Sequence, residues 1–267
     1  MKPAPFKYLA ADSAAAALAL KAEHGEDARF LAGGQSLIPA MNFRLAQPAV
    51  LIDINPAQDL SYIKTERDVL RIGALTRNRT LERDPLVAKH CPLIREAVVH
   101  VAHPQIRNRG TLAGNLAHAD PASEMPAVML ALGARMKARS AKGERWIAAR
   151  DFFTGVFSTA LAADELLAEI EVPALPPRTG CAFLEVARRR GDYAMMGVAA
   201  VVTDGRKVRL GYCSAGSTPM LVESDSLDVD VQAGIDPLGS VHASKAYQRH
   251  LAGVLTQRAL RIAVSRS

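Results

Sequence analysis

Cysteine is scarce in this 267-residue chain: Cys91, Cys181 and Cys213 are odd in number, far apart, and form no Cys-x-x-Cys pair. Such spacing supplies neither the four thiolates of an iron–sulfur cluster nor a structural zinc site. Free thiols in a reducing compartment are the expectation. Aromatics make up only 5% of residues, too few for the stacking platforms that single-stranded nucleic acids use. No uncharged apolar run reaches the length of a membrane span. The apolar stretch 14–20 is preceded by Asp12 and followed by Lys21, Glu23 and His24, so a helix capped by Asp12 or Ser13 and stopped at Gly25 explains it better than a signal peptide. A cytoplasmic location is expected. Also missing are the Rossmann glycine fingerprint and the P-loop with its Lys-Ser/Thr ending. His100, His103 and His118 lack the i, i+4 spacing of a helical zinc site, and no nucleophile–base pair emerges, so neither a metal nor a catalytic residue is assigned.

What is present is ordinary globular composition, with 49% hydrophobic and 22% charged residues, in a length that allows one or two domains. The 33 Lys plus Arg exceed the 27 Asp plus Glu by six, but the excess is dispersed and its densest run is only Arg188, Arg189 and Arg190. Nucleic acid is therefore not expected as a partner, whereas an anionic small ligand is. The pattern is α+β. Helices are predicted at 14–23, 93–101 and 124–132, with strands at 28–32, 50–54, 69–72, 135–139 and 169–172. Regular alternation of long apolar strands with helices is lacking, which disfavours a doubly wound parallel sheet. Three prolines among residues 173–177 mark a boundary. Beyond it lie three strand candidates, 182–187, 194–203 and 207–213, the last two joined by Asp204-Gly205 as a hairpin turn. An irregular stretch, 214–241, and one amphipathic helix, 244–264, complete a small second domain of three antiparallel strands under a helix.

Two glycine-centred segments carry most of the chemistry: Ala32-Gly33-Gly34-Gln35-Ser36-Leu37 and Thr111-Leu112-Ala113-Gly114-Asn115. Each reads as a tight turn beside a strand-like run and before helix-forming sequence, with backbone N–H groups free to meet an anion. Two of them point to one extended phosphate-bearing ligand held from both sides. In the first, the N–H groups of Gln35, Ser36 and Leu37 can converge on phosphate oxygens and the Ser36 hydroxyl adds a neutral donor. In the second, Thr111 and Asn115 offer a hydroxyl and an amide while Ala113 and Gly114 keep the backbone open. The plain structural alternatives are a connecting turn at Gly33-Gly34 and a strand bulge at Gly114.

The flanks extend both motifs. Arg29-Phe30-Leu31 and Ile38-Pro39-Ala40-Met41-Asn42 surround the first; Ile106-Arg107-Asn108-Arg109-Gly110 leads into the second, which runs on through Asp120-Pro121-Ala122-Ser123-Glu124. With Arg188-Arg189-Arg190-Gly191-Asp192-Tyr193-Ala194 and Ala243-Ser244-Lys245-Ala246-Tyr247, the chain resembles, nearly end to end, the medium FAD-binding subunit of the molybdenum hydroxylases, the family of carbon monoxide and xanthine dehydrogenases. One departure is Ala113, where the family pattern has a glycine; alanine fits if φ is negative.

The resemblance implies a vanillyl-alcohol-oxidase-type (p-cresol-methylhydroxylase-like) FAD-binding domain over 1–175, then a carbon monoxide dehydrogenase flavoprotein-like domain over 178–267. It also implies a large molybdopterin-binding subunit and a small [2Fe-2S] subunit as partners, assembled as a dimer of heterotrimers, with electrons passing from the clusters through FAD to an external acceptor. A lysine that NAD-reducing members often carry near Glu185 is absent, which speaks against NAD as that acceptor. Glu124 is implied as acceptor for the ribityl hydroxyls and Asp120 as a second candidate, although both also suit helix-start chemistry. Tyr193 is implied over the isoalloxazine, against the alternative of an ordinary strand aromatic. Arg188 and Arg189 would steady charge on the reduced ring, and Leu167 and Val101 would contact it or simply fill the core. Two other functions remain open on the residues alone: a free-standing FAD-dependent oxidoreductase, and a cofactor-free assembly scaffold.

Overall fold

A computed structural model describes residues 2–267. The chain starts with three short strands, β1 (Lys7–Ala10), β2 (Ala28–Leu31) and β3 (Val50–Asp53), which pair in parallel in the order β1-β3-β2. Helix α1 (Ala14–His24) crosses from β1 to β2, its first turn capped by Ser13 accepting from the Ala16 N–H at 3.2 Å and its end marked by Gly25. Helix α2 (Leu37–Asn42) lies on the way to β3. This small parallel sheet departs from the sequence expectation in one respect: its strands are four residues long, too short to register as long apolar runs.

A second sheet holds the strands β4 (Ile63–Glu66), β5 (Val69–Gly73), β6 (Arg135–Ser140), β7 (Gly143–Ala148) and, after the hairpin β8 (Phe153–Gly155) and β9 (Ser158–Thr159), β10 (Leu166–Val172). The order is β4-β5-β10-β6-β7, antiparallel throughout, with β10 buried along its whole length at the centre. Alternation explains how a central strand carries two glutamates. Ile170, Ile72 and Met136 face the core, whereas Glu169 and Glu171 face outward, where Arg71 meets them at 3.0 and 3.1 Å, Arg135 pairs with Glu171, and Tyr62 donates to Glu169.

Between β5 and β6 the chain forms the short helices α3 (Asn78–Arg83), α4 (Pro85–His90), α5 (Pro92–Val98), α6 (Pro104–Arg109) and α7 (Leu112–His118), then α8 (Glu124–Leu132), with α9 (Ala149–Phe152) following β7. Prolines open α4, α5 and α6, where the missing N–H costs nothing.

After the prolines at 173, 176 and 177, four strands form an antiparallel sheet in chain order: β11 (Thr179–Ala187), β12 (Ala194–Thr203), β13 (Lys207–Cys213) and β14 (Met220–Ser224). Three strands were expected. The fourth lies in the stretch read as irregular and pairs with Val208 to Tyr212; five residues with two polar ones give no strong strand pattern. The β12–β13 turn has positive φ at Asp204 and Gly205, as an Asp-Gly hairpin requires. Helix α10 (Lys245–Ser265), capped by Ser244, covers one face of the sheet with Ala252, Leu255 and Ala259, against Val198, Ala200 and Val202. The other face of β11 and β12, with Cys181, Phe183, Ala199 and Val201, joins the main core. Burial on both faces accounts for the nearly unbroken apolar run of β12.

Helix α8 is buried at all nine positions because it lies between α5, α7 and α9 on one side and β12, β13 and β14 on the other. Its backbone rests directly on β13: a Cβ on Gly211 would stand 1.9 Å from the Ala127 carbonyl oxygen. Gly211→Ala therefore forces α8 off the sheet, and we expect a loss of about 3 kcal/mol in chemical denaturation, at the upper end of ordinary overpacking costs. Unchanged stability in this variant would show that the contact is soft.

Candidate functional site

The first glycine segment is the turn between β2 and α2. Gly34 has φ +73°, a conformation that side chains with a Cβ rarely adopt. Gly33 is required for a different reason: a Cβ there would stand 2.4 Å from the Arg109 carbonyl oxygen and 2.7 Å from the Gly110 Cα. The first glycine segment is thus in backbone contact with the flank that leads into the second. Side chains lock them together. Arg77 donates to the Arg109 carbonyl at 2.5 Å and to Asn55 Oδ1 at 2.6 Å, and Asn55 donates to the Ala32 carbonyl at 2.9 Å. Gln35 folds back on the Gly33 carbonyl at 2.9 Å.

Among the described residues, the five successive N–H groups from Gly33 to Leu37 donate to no protein acceptor, and the Ser36 hydroxyl makes no capping bond. Gly33, Gly34 and Gln35 of this run line a cavity of about 520 Å³, with Tyr8, Asp53 and Arg109 on its other walls. The Asp53 carboxylate accepts from the Tyr8 hydroxyl at 2.5 Å and from the Asn55 backbone N–H at 2.9 Å. On the other side of Asn55 and Arg77 lies a second cavity of about 240 Å³. Unpartnered amides at a glycine turn, next to the exposed Arg109, form a donor set for an anion such as a diphosphate.

The second segment differs from its expected form. It follows helix α6 rather than a strand, and Gly114 lies in the first turn of α7 rather than in a glycine turn or a strand bulge. Thr111 has extended backbone, bridges to Arg77, and caps the helix by accepting from the Gly114 N–H at 3.0 Å. A Cβ on Gly114 would stand 2.8 Å from that Thr111 oxygen, so glycine serves the cap as well as the open surface. Ala113 is helical, and its side chain joins the core. Asn115 accepts from the Ser123 hydroxyl at 2.9 Å through Oδ1, leaving Nδ2 unpartnered among the described residues.

Asp120 closes a turn ahead of α8, accepting from the Ala122 N–H at 2.9 Å. Glu124 is the acidic residue in the first turn of α8, at 5% exposure; burial, then the Glu185 charge, outweigh its own backbone N–H and, with the Asp120 charge, push it up to about 8. Tyr193 lies in the β11–β12 turn rather than in a strand. It is 69% exposed, and burial together with the Asp120 and Glu124 charges raises its phenol above the ordinary range. That turn docks through Gly191, φ +86°, where a Cβ would stand 2.5 Å from His103 Nδ1. Arg107, buried, holds the facing loop by donating to the carbonyls of Val99, Val101 and Ala102 at 3.2, 3.2 and 2.8 Å. The structure thus brings Asp120, Glu124 and Tyr193 together. Leu167 is enclosed in β10 at 3% exposure, next to a register shift, and Val101 is likewise in the core.

Sequence reasoning missed Asn55, Arg77 and Glu185. Asp53-Ile54-Asn55-Pro56 at a strand end does carry an Asx-turn signature, but nothing near Arg77 or Glu185 distinguishes them. The three cysteines are free and buried. Among the described residues, no group of three or more His, Cys, Asp or Glu is placed to hold a metal, and no helix is long and apolar enough to cross a membrane.

Residues 4–175 match the family model described as the FAD binding domain in molybdopterin dehydrogenase. The chain belongs to this family. It is 40% identical, over all of its length and 97% of the relative's, to the 6-hydroxypseudooxynicotine dehydrogenase complex subunit alpha of Paenarthrobacter nicotinovorans. It is 37% identical to the carbon monoxide dehydrogenase medium chain of Afipia carboxidovorans, covering 100% of this chain and 99% of that one. Among solved structures, reconstituted CO dehydrogenase from Oligotropha carboxidovorans superposes with a TM-score of 0.95 at 36% identity over the whole of both chains. The chain is accordingly a medium FAD subunit of the molybdenum hydroxylase type, a component of an oxidoreductase, and its cofactor is FAD.

The site's weakest point is the joint between the two segments. Gly33→Val drives a side chain into the Arg109-Gly110 backbone and should abolish flavin retention. Arg77→Met removes two charge-assisted bonds and should weaken FAD binding tenfold or more, taking about 1.5 kcal/mol as the smallest contribution of a bond to a charged group. Flavin content after gel filtration measures both; full occupancy in Gly33→Val would refute the joint.

Proposed function

We propose that this chain is the FAD-carrying electron-transfer subunit of a heterotrimeric molybdenum hydroxylase. It works beside a small subunit whose [2Fe-2S] clusters donate electrons and a large molybdopterin-binding subunit that holds the substrate, in a dimer of heterotrimers. The observation that carries the proposal is the run of unpartnered N–H groups from Gly33 to Leu37, opening on a cavity and clamped by Arg77 to the second segment. When bound, FAD supplies the redox chemistry, accepting electrons from the partner's clusters and yielding them to an external acceptor. The matched family model ends at residue 175, just inside the proline segment, and this supports a flavin domain over 1–175 followed by a second domain over 178–267.

The chain's own residues bind, orient and screen. The N–H groups of Gly33, Gly34, Gln35, Ser36 and Leu37, with Ala32 holding the turn through its carbonyl, neutralise the diphosphate by dipoles and need no lysine. Thr111, Ala113, Gly114 and Asn115 present the opposite wall, Asn115 through its free Nδ2. Glu124 and Asp120 accept from the ribityl hydroxyls. Leu167 and Val101 back the ring from the core. Tyr193, exposed on the β11–β12 turn, covers the open face, and Arg188 and Arg189 beside it offset negative charge.

Three measurements test this. Native mass spectrometry of the protein from its own cells should show two further subunits, and a lone flavin-bearing chain would refute the assembly. Acid precipitation should release FAD, since no histidine or cysteine lines the cavity and the Tyr8 hydroxyl there is engaged by Asp53; flavin that stays with the protein would refute non-covalent binding. Tyr193→Ala should keep FAD yet reoxidise severalfold faster when the reduced complex meets dioxygen, because a screening ring is lost. Identical spectra and rates would place Tyr193 away from the flavin.

A further inference from the structure

Two enclosed carboxylates meet where the sheet of the second half abuts α8, and the flavin reading does not account for both. Register places Glu185, Gly197 and Cys213 in one row across β11, β12 and β13. Gly197 leaves the row open, since a Cβ there would stand 2.6 Å from Cys213 Sγ and 3.4 Å from Glu185 Cβ. Glu185 has a side chain 4% exposed; its Oε1 meets His100 Nδ1 at 3.1 Å and its Oε2 is enclosed without a partner. Glu124, at the start of α8, lies close enough to feel the Glu185 charge.

The groups facing Glu124 are few. Asp120 comes from the preceding loop, Glu185 from β11, the Cys213 thiol from β13 and the Tyr193 phenol from the β11–β12 turn. Arg209 reaches only the far end of α8, at the Leu130 carbonyl. Among the described residues Glu124 has no ion pair; His100 is already committed to Glu185, and His118, at the end of α7, faces Asp120. Two enclosed carboxylates with a single basic partner do not both stay charged.

We propose that Glu124 holds a proton in the FAD-free chain and loses it to solvent when FAD binds, with Glu185 as the residue that sets this linkage. The inference rests on the reading that Glu124 accepts from the ribityl hydroxyls. The balance is simple: the carboxylic acid and FAD give the carboxylate–FAD complex and one proton, and nothing is oxidised or reduced. Hydroxyl donors arriving at Glu124 favour its charged form, so its pKa is lower in the complex than in the free chain. Binding therefore strengthens as pH rises, up to about tenfold per unit, and levels off once the free chain has lost the proton.

The test is calorimetric titration of the full-length FAD-free chain with FAD at pH 7 in two buffers of different ionisation enthalpy. About one proton should be released per FAD, falling towards none above pH 9. Glu124→Gln should bind FAD and release no proton. Glu185→Gln, which keeps Glu124 but removes the neighbouring charge, should release half as much or less at pH 7. Wild-type binding without proton release, or unchanged release in either variant, would overturn the linkage while leaving the flavin site intact. Failure of the wild-type chain to take up FAD at any pH would overturn the flavin assignment, and the linkage with it.

Discussion

Gly33 touches the Arg109-Gly110 peptide with no side chain between, and the site depends on this contact between two strips of backbone. The first turn is held in a shape that leaves its N–H groups unpartnered, which would be costly in an isolated loop. Here the far side of the turn is pressed against the α6–α7 junction, Asn55 and Gln35 donate to the Ala32 and Gly33 carbonyls, and Arg77 ties Asn55 to the Arg109 carbonyl. These two acceptors of the turn are satisfied by protein and its donors are left for the ligand. That asymmetry suits a diphosphate and explains how the site can do without a P-loop lysine.

The second organising element is α8. Because it is buried on every side, it packs α5, α7 and α9 against β12, β13 and β14, while its first residue, Glu124, lies near Asp120, Glu185 and Tyr193. The turn carrying Tyr193 reaches the same end, positioned by Gly191 against a loop that Arg107 holds by three carbonyls. One end of α8 thus gathers groups from both halves of the chain. Positioning of this kind is what a flavin-carrying protein supplies, the redox chemistry being the cofactor's own.

Much of this was legible in the sequence where local chemistry decides structure. The Ser13 and Ser244 caps, α8 and the Asp204-Gly205 hairpin follow from residue preferences within a few positions. Legibility failed where long-range contact decides. Gly114 looked like part of a turn because glycine is a poor helix former, yet it serves the Thr111 cap. The parallel pairing of β1 and β2 about β3, the edge strand β14 and the Arg77 clamp depend on partners twenty or more residues away or on short strands with weak alternation. Tyr193 was identified by resemblance alone; its place in a turn and its exposure come only from the fold.

The central claim, that FAD is held by the backbone donors of the first turn, is tested most directly by hydrogen–deuterium exchange of the full chain with and without FAD. The account predicts that the amides of Gly33 to Leu37 exchange freely in the FAD-free chain and become strongly protected on binding, with smaller changes from Thr111 to Asn115. Stoichiometric FAD binding that leaves the exchange of Gly33 to Leu37 unchanged would contradict it.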